Sequence, residues 1–277
     1  MKFRELMVLI ADSGSTKTHW RLLDGDRIEQ HETIGLHPRF SDGGVVKSVI
    51  NSLAKRYPHV REVYFYGAGC AEGSSEQAFL QAHLQNCFGS AKIYVHSDLL
   101  GAAQACYGDA PGLVGILGTG ANTAYYDGAV LQQKVPSLGY FLGDEGGGAH
   151  LGRLLLSAGL RGELPTDLLR KLKLDKKLIL EKVYEGSSPN RFLASFGPFL
   201  FRNRMVPEVS ALLQESFGLY VDRYVSVYGE GQTLSVVGSI GYYFRTELQE
   251  ALRSRGHFLG QVLEYPIAAL SLYHLAE

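Results

Sequence analysis

The chain has 277 residues, 27 of them lysine or arginine against 28 aspartate or glutamate, with 45% apolar residues. A length of this order fits two domains better than one, and the composition is that of an ordinary globular protein. Balanced charge without a basic stripe argues against nucleic acid or an anionic membrane as the main partner, and no run approaches the ~20 apolar residues that a membrane span needs.

The opening residues Met1-Lys-Phe-Arg-Glu lead into a strand-like run rather than an apolar signal segment. Residues 7–11 and 19–23 read as two strands of a hairpin around the turn Asp12-Ser-Gly14-Ser15-Thr16-Lys17-Thr18. A further strand is expected at 27–33, a helix at 45–56, a strand at 62–66 and a helix at 75–88 closed by Gly89. A strand at 92–96 runs into Ser97-Asp98, followed by a helix at 99–107. The second half opens at Gly112. It begins with a buried-type strand at 113–117, the turn Gly118-Thr119-Gly120, a strand at 123–126 and one at 130–134. The segment Gly143-Asp144-Glu145-Gly146-Gly147-Gly148 introduces a helix over 149–158. Residues 163–230 are mainly helical in period. A strand at 233–237 ends at Gly238-Ser239, followed by a helix at 246–255, a strand at 258–263 and a terminal helix at 267–276. This order of hairpins, helices and strands predicts an α/β protein with mixed sheets.

The two glycine turns echo one another. Each follows an apolar strand and precedes another, and each strand pair ends in a turn dipeptide, Asp24-Gly25 or Asp127-Gly128. Glycine lets the backbone turn tightly and approach a ligand, and successive N–H groups in such a turn form an anion-binding concavity. Two such turns in two similar halves suggest a polyphosphate gripped from both sides. Neither a Walker A loop nor a dinucleotide fingerprint is present. A carboxylate at Asp12 would repel phosphate unless it holds Mg²⁺ through water, with Thr16 and Lys17 then donating to phosphate oxygens.

Asp98, at a strand end before a helix, is either a helix N-cap or a general base in the crevice where α/β sheets bind ligands; the two roles are compatible. The Gly143–Gly148 segment reads either as a flexible turn or as a ligand site whose neighbouring carboxylates, Asp144 and Glu145, accept hydrogen bonds from a polyol. Cys70, Cys87 and Cys106 form no C-x-x-C pair and are read as reduced thiols of a cytoplasmic protein.

In order, Asp-x-Gly-x-Thr-Lys-Thr, a mid-chain Ser-Asp, Gly-Thr-Gly-x-Asn, Gly-Asp-Glu-Gly-Gly-Gly and a late Val-Val-Gly-Ser resemble the actin, hexokinase and heat-shock-70 superfamily. Within it the chain is most similar to the N-acetylglucosamine kinase-like group that includes the BadF/BadG activator-type ATPases. The resemblance implies two ribonuclease-H-like (actin-like ATPase) domains, at 1–112 and 113–277, with a nucleotide cleft between them. It leaves the terminal helix free to pack back on the first domain. It implies ATP and Mg²⁺, the latter near Asp12. The first phosphate loop is Asp12, Gly14, Ser15, Thr16 and Lys17, and the second is Gly118, Thr119 and Gly120. Asp98 matches the catalytic base, Asn122 and Asp144 the sugar-hydroxyl ligands, and Gly238 and Ser239 the adenosine-contacting turn. An Asn-containing sugar loop is replaced by Gly35-Leu36-His37-Pro38, and Ala121 stands where a serine often contacts the sugar. The activity implied is phosphorylation of N-acetylglucosamine or a related amino sugar. A BadF-type activator of a partner enzyme and a non-catalytic sugar sensor are the alternatives. The activators carry a cysteine beside the second phosphate loop, and residues 113–277 here contain none. The oligomeric state is left open, a homodimer being one option.

Overall fold

The computed structural model describes residues 7–37 and 43–276. It divides into two compact units. One runs to Asp109 and includes the segment from Tyr265 onward; the other is Ala110–Glu264.

In the first unit, β1 (Val8–Ser13), β2 (Lys17–Asp24) and β3 (Arg27–Ile34) form an antiparallel meander. After α1 (Gly43–Arg56) comes β4 (Glu62–Gly67), which pairs parallel with β1. After α2 (Ser75–Phe88) comes β5 (Lys92–Ser97), parallel to β4 and followed by α3 (Asp98–Tyr107). The sheet order is β3-β2-β1-β4-β5. The run Val8-Leu-Ile-Ala11 is apolar throughout because both faces of β1 are covered. Leu9 and Ala11 pack with Ile50, Leu53, Leu80 and Leu84 of α1 and α2. Val8 and Ile10 pack against Ile267 and Leu270 of the terminal segment.

The second unit repeats the pattern. Strands β6 (Gly112–Leu117), β7 (Ala121–Tyr126) and β8 (Leu131–Gln132) form the antiparallel part. A long helical stretch follows: α4 (Gly139–Leu142), α5 (Gly148–Arg161), α6 (Thr166–Leu172), α7 (Lys176–Tyr184), α8 (Pro189–Ala194), α9 (Gly197–Arg202) and α10 (Pro207–Tyr220). A π-helical turn, Val221–Val225, extends α10. Then β9 (Thr233–Val237) pairs parallel with β6, and α11 (Ser239–Tyr243) and α12 (Arg245–Arg253) lead to β10 (Phe258–Leu263), parallel to β9. The sheet order is β10-β9-β6-β7-β8. The chain closes with α13 (Ile267–Ala276) in the first unit. Among the described residues no helix is long and apolar enough to cross a membrane.

The strand expected at 130–134 is confined to Leu131–Gln132. The Asp127 carboxylate accepts from the N–H groups of Ala129 and Val130, and the Lys134 N–H goes to the Tyr228 hydroxyl, so the ladder has few donors left. The single-turn helices α4 and α11 were not expected; they are too short to register as a 3.6-residue period. The helix expected at 149–158 runs from Gly148 to Arg161.

Candidate functional site

Within the first unit, β1 delivers Asp12 and Ser13 to a turn that re-enters the sheet at Lys17. Gly14 N–H donates to the Lys17 carbonyl, closing the turn. Below it, the Thr18 hydroxyl donates to the Ile34 carbonyl, so the Ser13 hydroxyl donates to Thr18 Oγ1, at 2.8 Å. Both oxygens accept from Leu36 N–H, and Gly35 N–H donates to Thr16 O. A Cβ on Gly35 would lie 2.4 Å from the Gly14 carbonyl oxygen, so only glycine fits. The turn is thus held from beneath. The N–H groups of Ser15 and Thr16 have no intramolecular partner among the described residues.

Asp12 faces His19 across the hairpin. Its carboxylate is 16% exposed and lies 3.9 Å from His19 Nδ1, while His19 Nε2 lies 3.4 Å from Glu32 Oε2. Glu32 also pairs with Lys17, at 2.8 Å. Lys17 is therefore not free, but this pair is half exposed on both sides. Such pairs are worth little, so phosphate can compete for the ammonium. His19 was not anticipated from the sequence. Counting back from the turn closed by Ser13 and Thr18 would have placed it opposite Asp12.

Asp98 begins α3 rather than capping it. The cap is Ser97, whose hydroxyl accepts from Leu100 N–H. The N-cap reading of Asp98 is thereby corrected: β5 extends one residue further, and the serine takes the cap. Asp98 Oδ1 accepts from Leu99 N–H at 2.9 Å. Burial first, then the Asp12 charge, pushes the Asp98 carboxyl up to about 7. Asp12 is likewise raised, by burial, with His19 opposing. Two partly buried carboxylates, with the Asp12 charge raising Asp98, suit a divalent cation. No group of three or more His, Cys, Asp or Glu among the described residues could hold a metal. Mg²⁺ needs no such group, being commonly bound by one or two carboxylates with water and phosphate oxygens. The loop at Gly35–Pro38 is described as far as His37, whose ring packs on Gly69; a Cβ there would meet His37 Cε1 at 2.7 Å. Pro38 lies outside the described residues.

The second unit holds the other candidates. Gly118 N–H donates to Gly120 O, closing the second turn, and the N–H groups of Thr119 and Gly120 have no intramolecular partner among the described residues. The start of α5 is knitted to the turn: Gly148 N–H donates to Gly118 O and Ala149 N–H to Thr119 O. Asp144 folds over it, its Oδ1 3.3 Å from Ala121 N. A Cβ on Gly120 would meet the Asp144 carboxylate at 2.6 Å. Burial raises the Asp144 carboxyl, against the Ala121 N–H. Asn122 is the second residue of β7, its Oδ1 accepting from Thr123 N–H and from Gln133. Glu145 is engaged: Arg223 donates to one oxygen and Tyr224 OH to the other, at 3.0 Å. Glu145 was expected as a polyol acceptor; in the structure each of its oxygens already accepts one hydrogen bond within the protein. Gly238 (φ +121°) abuts the base of the turn, where a Cβ would meet Leu117 O at 2.5 Å, and Ser239 opens α11.

A candidate N-acetylglucosamine kinase from Porphyromonas gingivalis is 36% identical over 98% of this chain and 99% of its own, with a TM-score of 0.90. The chain belongs to that sugar-kinase family. The family's fold is shared more widely. A candidate N-acetylglucosamine kinase from Chromobacterium violaceum aligns over 98% and 99% of the two chains at 20% identity and TM-score 0.70. A ROK-family glucokinase from Streptomyces griseus, in complex with glucose and AMPPNP, aligns over 96% and 97% at 16% identity and TM-score 0.58. No protein-family model and no curated protein matches the chain, so the BadF/BadG part of the resemblance has no such support. The sugar-kinase family and its actin-like ATPase fold carry the resemblance alone.

Proposed function

We propose that this protein transfers the γ-phosphoryl group of ATP to a hydroxyl of N-acetylglucosamine or a close amino sugar. The observation that carries the reading is Asp98: a partly buried carboxylate at a strand's carboxyl end, raised to about 7 beside Asp12. A general base works best with a pKa near the operating pH. Asp98 accepts the proton of the acceptor hydroxyl, that oxygen bonds to the γ-phosphorus, and the bond to the β-phosphate oxygen breaks to release ADP. Phosphoryl transfer needs mainly positioning and charge neutralisation. The unpartnered N–H groups of Ser15 and Thr16, and those of Thr119 and Gly120, supply donors for phosphate oxygens, with Lys17 leaving Glu32 to join them. Asp12 would hold Mg²⁺, which when bound neutralises phosphate charge. Asn122 and Asp144 hold sugar hydroxyls, and Gly238 and Ser239 border the adenosine.

Screening a sugar panel for ATP- and Mg²⁺-dependent ADP release tests this. An amino sugar should raise ADP production well above background. If none in a broad panel does so, the reading is wrong.

A further inference from the structure

Asp144 has a left-handed backbone (φ +58°), one of two non-glycine residues with positive φ among the described residues. Such a conformation is uncommon outside glycine and persists where the surroundings impose it. Two braces flank it. On one side Glu145 is gripped by Arg223 and Tyr224. On the other, Gly146 (φ +80°) donates its N–H to Ser216 Oγ at 3.1 Å, and Ser216 Oγ lies 2.8 Å from His150 Nδ1. Ser216 and His150 are both buried, at 0% and 3% exposure. The Ser216 oxygen already accepts from Gly146. Among the described residues its single hydrogen has no other acceptor than His150 Nδ1, which assigns the neutral imidazole with its proton on Nε2. A protonated ring would present N–H to that oxygen and strand the serine hydrogen in a buried place. Burial, with the Arg153 and Arg223 charges and against Glu145, holds His150 down at about 4, so the neutral ring persists through the working range.

We infer that His150 and Ser216 are positioning residues for the acceptor sugar: through Gly146 they hold Asp144 in the conformation that presents its carboxylate beside Asn122. This rests on the sugar-kinase reading above. Neither residue touches the reacting atoms, and both lie off the loop that carries the carboxylate. The chain Asp144–Gly146–Ser216–His150 begins and ends on the Gly-Asp-Glu-Gly-Gly-Gly-Ala-His segment, with α10 supplying the middle link.

The test uses His150→Leu, Ser216→Ala and His150→Asn, the last placing an amide oxygen where Nδ1 accepts. In His150→Leu and Ser216→Ala the sugar KM should rise about tenfold or more, as expected for one unpaired buried donor. Turnover and the ATP KM should stay within about threefold, since a purely positional loss falls on binding. His150→Asn should restore the sugar KM. Amide hydrogen exchange at residues 144–147, measured without any ligand, should speed up in the first two variants and recover in the third. Should His150→Leu not fold, Ser216→Ala carries the same comparison. Unchanged exchange at those amides overturns the brace. Faster exchange with an unaltered sugar KM overturns its role toward the sugar. A wild-type protein inactive on every sugar would overturn the proposed function instead, and exchange would still decide the brace.

Discussion

The two sheets share one topology but not one chemistry. In each, an antiparallel meander turns through a short Gly/Ser/Thr segment and then gains two parallel strands. The pair closing the turn is Ser13 with Thr18 in one and Leu117 with Ala121 in the other. One step back from the turn, Asp12 faces His19, whereas Ile116 faces Asn122. Past the outer strand β5 the first unit offers Asp98, whereas the second unit offers Gly238 past β9, the inner of its two added parallel strands. Both turns leave two N–H groups without intramolecular partners among the described residues, but only the first has a carboxylate, Asp12, on the strand that enters it. The second instead has Asp144 folded over its turn from a separate loop. A shared backbone thus repeats the turn, and on the proposed function proton and metal chemistry would belong to one unit and hydroxyl recognition to the other.

The largest expected break in this comparison comes from Asp98→Asn. Loss of a general base typically costs ~10²–10⁴-fold in turnover. Sugar and nucleotide affinity should change little, as isothermal calorimetry would read. The same variant should be more stable at pH 8. A carboxyl raised from the ordinary range to about 7 binds its proton more tightly folded than unfolded, so it lowers stability progressively as pH rises from about 4 to 7. Removing it should return on the order of 1–3 kcal/mol at pH 8, visible as a higher Tm. Turnover within a few-fold of wild type would remove Asp98 from the chemistry.

Asp144→Ala should act differently, by weakening sugar binding about 10- to 100-fold through the loss of a charged hydrogen-bond acceptor. If its whole effect fell on turnover, the division of labour between the units would be wrong. Lys17→Ala and Thr119→Ala should each weaken ATP binding by a smaller factor, about 3- to 30-fold, with sugar affinity preserved. Calorimetry showing normal nucleotide affinity in both would dismiss the paired-turn view. The smallest effect is expected from replacing all three cysteines by serine. Burial pushes the Cys70 and Cys106 thiols up to about 12, so they are poor thiolates at neutral pH. Turnover should persist, and protein purified anaerobically should contain no iron. Stoichiometric iron with sulfide would favour the activator alternative.

Much of this was legible in the sequence because the relevant signals are local. The apolar runs of β1 and β6 and the glycine turns after them depend on neighbours in the chain. So does Asp98, a carboxylate at a strand's end, although the residue beside it took the cap. What stayed hidden depends on contacts distant in sequence. Glu145 is engaged by Arg223 and Tyr224, almost eighty residues away. The bond between His150 and Ser216 spans 66 residues. Gly120 reads as part of a phosphate turn and Gly147 as part of a flexible or ligand-binding one, yet their lack of a side chain answers to close approach, of Asp144 to one and of the Gly120 backbone to the other. Periodicity reports which face of an element is buried, not which distant polar group it meets.

The claim at the centre is that Asp98 is the base and titrates near neutrality. The most direct test is the pH dependence of kcat/KM for the sugar between pH 5 and 9, which reports the free enzyme. The account predicts a limb rising about tenfold per pH unit and levelling above an apparent pKa near 7, a value shared with the coupled Asp12, and no such limb in Asp98→Asn. A profile flat across neutrality in the wild type, or a limb that survives intact in Asp98→Asn, would contradict it.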